Sequence, residues 1–413
     1  MKKVIYLLAG AMAAVAFAPQ ASAVPGFSRQ TGLACNACHF QSFPALNDLG
    51  RSFKAGGFTM TGTQKRVEGS EGLSIPDTLN AGVVAKIRYQ QSNGAKVDGT
   101  NSTNDGQLQF PDELLLMVGG RVSENIGALL ELNLLSKDAE PVVANFKMPF
   151  IYDVSGVKAG VIPFTTADQG VSYGFELLNT GAVRGQRIME ARKTFSAQQY
   201  VGAGSGAAEG VAVVASNSLF FANISKWSPR SAGDGNKGSP SATYLRLAFT
   251  PKMGSWDLGV GVQSWSGSAT LPTAPILTNV DTKAYAVDAQ AQGEVAAMPL
   301  GIYLTYANAN ASATEAGGTA NLFNGNANAK TAATIAGQLG VVPGKATLLM
   351  AYRKGDTGAA ANNQDNSVMI GGTYLMAQNV QLQLNHEMFS GSKYDVVQAD
   401  GDRMTTLMLF ATF

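Results

Sequence analysis

The sequence predicts an all-β protein, a sixteen-stranded antiparallel outer-membrane β-barrel behind a small N-terminal domain. Three observations carry that prediction. From about residue 78 to the end, apolar and polar residues alternate in segments of roughly ten, the period of strands with two unlike faces. The connections between segments alternate long and short, as in barrels with extended outer loops and tight periplasmic turns. The chain also opens with a segment built for export.

Residues 1–23 form that segment. Lys2 and Lys3 supply the charged start, Val4 to Phe17 the apolar run, and Ala21-Ser22-Ala23 the small-residue cleavage site. The competing reading, an N-terminal anchor helix, needs a longer run. Past Val24 no stretch reaches the ~18 apolar residues of a transmembrane helix. Residues 24–77 form a second unit, which holds both cysteines and one of the two histidines.

The barrel occupies 78–413. Its sixteen segments are 78–91, 107–122, 126–135, 141–150, 155–163, 207–216, 218–227, 241–250, 255–266, 282–295, 299–309, 329–341, 345–353, 367–376, 380–389 and 403–413. Alternation assigns the faces. Val83, Ala85, Ile87 and Tyr89 oppose Lys86, Arg88 and Gln90, and Leu245, Leu247 and Phe249 oppose Tyr244 and Arg246. A soluble sandwich alternates too, but sheets of this size curl or close, and lipid requires closure. The ending MTTLMLFATF, with Phe413 last, resembles the terminal strand of bacterial outer-membrane barrels. The longest connection, 164–206, carries Asp168, Glu176, Arg184, Arg187, Glu190, Arg192 and Lys193. It reads either as a surface loop or, by resemblance to sixteen-stranded porins, as the third long loop that folds inward.

Composition narrows the chemistry. Thirty Lys+Arg balance 29 Asp+Glu, with 14% charged residues and no basic cluster, so nucleic acid is not an expected partner. Two cysteines build neither a disulfide framework nor a Cys-rich zinc module. They stand in Cys35-Asn36-Ala37-Cys38-His39, the C-x-x-C-H pattern of c-type haem attachment. Two thiols three residues apart add to the two vinyl groups of one porphyrin, and the adjacent histidine reaches the iron. The N-terminal unit is therefore expected to be a monohaem cytochrome c-like domain with one covalent haem c. A redox pair or a zinc half-site is the alternative; zinc lacks further nearby ligands.

For the sixth iron ligand the sequence offers His386, in phase with the apolar, lipid-facing Val380, Leu382 and Leu384, and Met60 in Gly56-Gly57-Phe58-Thr59-Met60. Met60 is the better local candidate, and a vacant site stays open. A thioether opposite histidine raises the haem potential. Phe40, Phe43, Leu46, Leu49 and Phe53 are candidates to pack on the ring, and Arg51 and Lys54 to pair with its propionates.

The stretches Phe27-Ser28-Arg29-Gln30-Thr31-Gly32, Cys35 to Phe40, Pro44-Ala45-Leu46-Asn47, and Gly50-Arg51-Ser52-Phe53-Lys54 through Gly57-Phe58-Thr59 closely resemble the fused cytochrome–porin proteins of the outer membrane in iron-oxidising bacteria. The resemblance is most specific over residues 25–60. It implies that Cys35 and Cys38 attach the haem, that His39 ligates it, and that the domain lies within the barrel or at its periplasmic side. It further implies an iron oxidoreductase that takes electrons from extracellular ferrous iron and passes them to a periplasmic cytochrome or copper protein. The competing functions are a diffusion porin with an accessory haem domain and a conduit for another donor. Asp98, Asp105, Asp168, Glu176 and Asp395 are the carboxylates of the long connections, where hard oxygen ligands suit a divalent ion.

Overall fold

The computed structural model describes residues 25–70, 72–94, 105–135, 142–181, 188–230, 239–271, 278–313, 318–396 and 401–413. The export segment 1–23, Asp98, Arg184 and Arg187 lie outside the described residues.

Sixteen antiparallel strands close into one barrel. In chain order they are β1 Ala81–Ser92, β2 Gln107–Ser123, β3 Ile126–Asn133, β4 Val143–Lys147 continued by Phe150–Val154, β5 Val157–Thr166, β6 Ala208–Ser216, β7 Phe220–Pro229 and β8 Ala242–Phe249. Then follow β9 Trp256–Ser266, β10 Ala284–Val295, β11 Met298–Ala309, β12 Lys330–Val342, β13 Ala346–Asp356, β14 Asn366–Ala377, β15 Val380–Ser390 and β16 Arg403–Thr412. Each expected segment corresponds to one strand, with shifted ends. The break in β4 falls at Met148-Pro149, where proline has no N–H for the ladder; the strand then runs on to Val154 instead of ending near 150. The seam closes by pairing β16 with β1, Leu409 opposite Ile87. Phe413 and Val83 exchange two backbone hydrogen bonds of 2.7 and 3.0 Å, so the terminal aromatic residue completes the ring.

The faces follow the alternation. Lys86, Arg246, Asp288, Gln338 and Gln383 are buried on the inward face, whereas Leu247, Phe249, Ile302, Leu348 and Leu384 are exposed on the outward one. A polar interior inside an apolar exterior is the inverse of a water-soluble sheet, and it suits a lipid-embedded cylinder. Among the described residues no helix is long and apolar enough to cross a membrane; the strands make the crossing. The protein is an outer-membrane barrel.

Two segments fill the lumen. The N-terminal segment enters at the short-turn end, the periplasmic end of such barrels. It forms α1 Pro25–Thr31, α2 Cys35–Cys38 and α3 Asp48–Ala55, followed by the hairpin Arg66–Glu68/Ser74–Pro76. The described parts of the next long connection, 167–181 and 188–207, fold inward, as the resemblance to porins implies. Val171, Tyr173, Phe175, Leu178, Ile188 and Met189 are buried, and its helices α4 Arg192–Phe195 and α5 Ala197–Val201 pack against strands β11 to β14.

Candidate cofactor cavity in the barrel lumen

Between the N-terminal plug, the inward loop and the wall formed by β1 to β4 lies a cavity of about 710 Å³, within the ~300–1,000 Å³ range of cofactor sites. Cys38, His39 and Lys54 reach it from the plug, Tyr173 and Met189 from the loop, and Leu115, Met117 and Lys147 from the wall.

The plug is folded tightly around the cysteine motif. Asn47 caps α3: its Oδ1 accepts from the N–H of Gly50 at 3.0 Å, and its Nδ2 donates to the carbonyl of Ala37 at 2.9 Å. One side chain thus satisfies an orphan helix donor and ties α3 to α2. The approach is so close that a Cβ on Gly50 would sit 2.2 Å from the Cys38 carbonyl oxygen. The backbone N–H of Phe40 donates to the Ala45 carbonyl at 2.8 Å, which folds the chain back beneath His39. Nδ1 of His39 lies 3.1 Å from that same oxygen. Donation from Nδ1–H leaves the Nε2 lone pair unprotonated, the arrangement that orients metal-ligating histidines. The His39 ring meets Phe43 edge to face at 5.1 Å, and Phe43 stacks on Phe410 of β16 at 4.9 Å. Burial lowers the His39 pKa to about 4, against the pull of the Ala45 and Pro44 carbonyls, so the ring is neutral at pH 7.

Cys35 and Cys38 are not joined in a disulfide. Burial pushes Cys35 up to about 11, with Cys38 adding to the rise and a hydrogen bond to its own backbone opposing it; burial also raises Cys38. Redox-active C-x-x-C pairs have depressed thiol pKa values; this pair has the opposite environment. Among the described residues no three His, Cys, Asp or Glu side chains gather to hold a metal ion.

The remaining expected residues separate. Lys54 lines the cavity; burial lowers its pKa to about 8, with Glu176 and Glu131 drawing it back up. Arg51 turns away and grips Asp257 of β9 through two contacts of 2.7 and 2.8 Å, so it latches the plug to the wall. Met60 is 38% exposed and its carbonyl accepts from Gln30 at 2.8 Å; its side chain is not part of the cavity wall. Three other methionines, Met117, Met189 and Met408, line the cavity. His386 lies on the outward face, with Nδ1 2.8 Å from Thr405 Oγ1 on the next strand. Phe43, Leu46 and Phe53 line the cavity, together with Phe27 and Phe58, which the sequence did not single out for it.

The long-loop half of the cavity is charged. Glu190 of the inward loop meets Arg88 of β1 at 3.1 Å, Arg192 at 3.2 Å and Lys86 of β1 at 3.6 Å; Arg88 also pairs with Asp112 of β2 at 2.7 Å. Elsewhere Glu176 is buried against Arg246 of β8, which also binds Asp288 of β10. Asp168 lines the cavity, Lys193 is exposed, and Asp105 and Asp395 sit in separate connections. Among the described residues the loop carboxylates therefore do not converge. Lys147 is the functional candidate that sequence reasoning missed. Its alternation with Asn145 in the fourth segment marks it as inward-facing, and an inward lysine behind an apolar band was the available signal.

No protein-family model matches the sequence, and no curated protein matches it. Solved structures that resemble it are outer-membrane barrels. The channel DcaP of Acinetobacter baumannii is 12% identical, with a TM-score of 0.48 over 81% of this chain and 97% of that one. A mutant of the Rh. blastica porin is 14% identical, with a TM-score of 0.48 over 81% and 100%. OmpT of Vibrio cholerae is 12% identical, with a TM-score of 0.45 over 84% and 100%. At such distances the sixteen-strand architecture rests on this chain's own strand pairing.

Proposed function

We propose that the chain is an outer-membrane electron-transfer protein, a ferrous iron oxidoreductase that carries one covalent haem c in the lumen cavity and delivers electrons to a periplasmic cytochrome or copper protein. The observation that carries this reading is the C-x-x-C-H turn, whose Cys38 and His39 line the lumen cavity while Cys35 stands one helical turn before Cys38 and outside the lining, with His39 neutral and anchored through Nδ1. The residues fit the group. Cys35 and Cys38 offer two thiols on a single helical turn, and His39 offers Nε2. Phe27, Phe43, Phe53 and Phe58 offer an apolar, water-excluding wall. A bound haem supplies reversible one-electron chemistry. The plug and the inward loop both line the cavity from inside the barrel.

The test is direct. The purified full-length protein in detergent is mixed with Fe(II), and the visible haem bands are followed across pH; Cys35→Ala/Cys38→Ala is the control. Reduction by Fe(II) supports the reading, and a coloured protein that Fe(II) fails to reduce at every pH refutes the donor. Comparing reduction rates across other donors then separates iron from a different reductant. A second reading, a diffusion porin with an accessory domain, draws on the sixteen-strand barrel with its inward loop. Solute flux in liposomes that survives Cys35→Ala favours it.

A further inference from the structure

Lys54 and Lys147 come from different parts of the chain, the plug helix α3 and the barrel strand β4, yet both line the one cavity. Their surroundings leave positive charge to spare. The Lys54 ammonium has no hydrogen bond or ion pair among the described residues, and the surface it exposes faces the cavity. The anions that act on it are Glu176 and Glu131. Glu176 is committed to Arg246 at 3.0 Å, whereas Glu131, which lines the same cavity and accepts from Asn145 at 2.7 Å, acts on both lysines. Lys147 donates to the Tyr173 carbonyl at 2.8 Å and lies 4.2 Å from the Tyr173 ring centroid. Of the three donors of its ammonium, that contact uses one. One shared carboxylate does not balance two buried cations, and a further bound anion offsets the remaining cost.

We propose that Lys54 and Lys147 together bind the two propionates of the haem, so that the cofactor is clamped between plug and barrel wall. The inference rests on the haem reading above and deepens it. In a haem tethered through its vinyl groups, the carboxylates project from a different edge of the macrocycle. A cationic pair away from the cysteines is what that edge requires. Arg51, the sequence's other candidate for this task, is spent on Asp257. The site is therefore assembled from two segments 93 positions apart in sequence (147 − 54), and the plug alone carries only half of its anion-binding groups.

The experiment uses the full-length, haem-loaded protein and resonance Raman spectroscopy, whose propionate bending bands report hydrogen bonding at the carboxylates. Lys54→Gln and Lys147→Gln are each expected to shift one propionate band and to lower the haem midpoint potential, since each removes a positive charge near the haem. Lys354→Gln, on an exposed outward position, is the control and should change neither. Propionate bands that stay at wild-type positions in both single variants, with haem attached and the barrel folded by its gel mobility, overturn the proposal and leave the haem reading standing. A colourless wild-type protein overturns both.

Discussion

The inward loop is held by a group of charges with no access to water, and its removal has a calculable cost. Arg246 contacts Asp288 at 2.5 Å and Glu176 at 3.0 Å, and all three side chains are 0% exposed. Thr180 adds a 2.7 Å hydrogen bond from the loop to Asp288. In Arg246→Met two carboxylates remain buried without their cation. Removing one partner of a buried pair costs about 3–5 kcal/mol, which is roughly two to three and a half orders of magnitude in the equilibrium between latched and released loop. The assay has two arms. Thermal unfolding, followed by the shift in electrophoretic mobility of the folded barrel, should show a clear loss of stability. Single-channel conductance in planar bilayers should rise as the loop leaves the lumen. The triple variant Arg246→Met/Glu176→Gln/Asp288→Asn removes the stranded charges and should recover most of the stability. Wild-type unfolding and wild-type conductance in Arg246→Met would refute the reasoning, because a salt bridge with no cost of removal latches nothing.

Three further outcomes follow from the plug. Gly50→Ala puts a methyl group 2.2 Å from the Cys38 carbonyl oxygen; the overpacking should cost about 1–3 kcal/mol and reduce haem incorporation, read by absorbance per polypeptide. Met60→Ala should leave the visible spectrum unchanged, since its side chain is outside the cavity wall; a lost thioether signature would reinstate Met60 as the axial ligand. In the haem-free Cys35→Ala/Cys38→Ala background, Lys54 titrates near pH 8 when folded and near 10.5 when unfolded. Between those values the unfolded chain binds more protons, so stability should climb as pH rises from about 8 to about 10.5. Chemical denaturation at a series of pH values checks this, and Lys54→Met should remove that component of the slope.

Most of the barrel was legible because lipid and lumen impose opposite demands on successive residues. Lys86 and Arg88 point inward and Ile87 and Tyr89 outward because a period of two leaves no other choice. Strand ends were less legible: β4 runs past Pro149 because the residues on both sides of the break pair with β3 and with β5. The cysteine motif was legible as local chemistry, and the structure adds the tie from His39 to Ala45. The rest of the site depends on contacts distant in sequence. Nothing near Arg51 announces Asp257, and nothing near Lys54 announces Lys147. Those pairings come from how the plug sits in the barrel, to which Gln30 is one tie: its Nε2 donates to Phe58 and Met60 carbonyls within the plug, and its Oε1 accepts from the N–H of Arg121 on β2.

The filling of the lumen bears on what crosses this barrel. From the short-turn end the plug is bound to the wall by Arg51–Asp257, by Gln338 donating to Ser42 at 2.9 Å, and by the Phe43–Phe410 stack. From the long-loop side the inward connection is bound by Arg246 at one wall and by Lys86 and Arg88 at another. The two segments also meet each other: Asn179 of the loop donates to the Leu46 carbonyl at 2.8 Å, and the Leu46 N–H donates back to Asn179 at 2.7 Å. Contacts of this kind predict that the wild-type barrel conducts at or near the bilayer baseline in planar bilayers; porin-like conductance would instead favour the diffusion reading over the electron-transfer proposal.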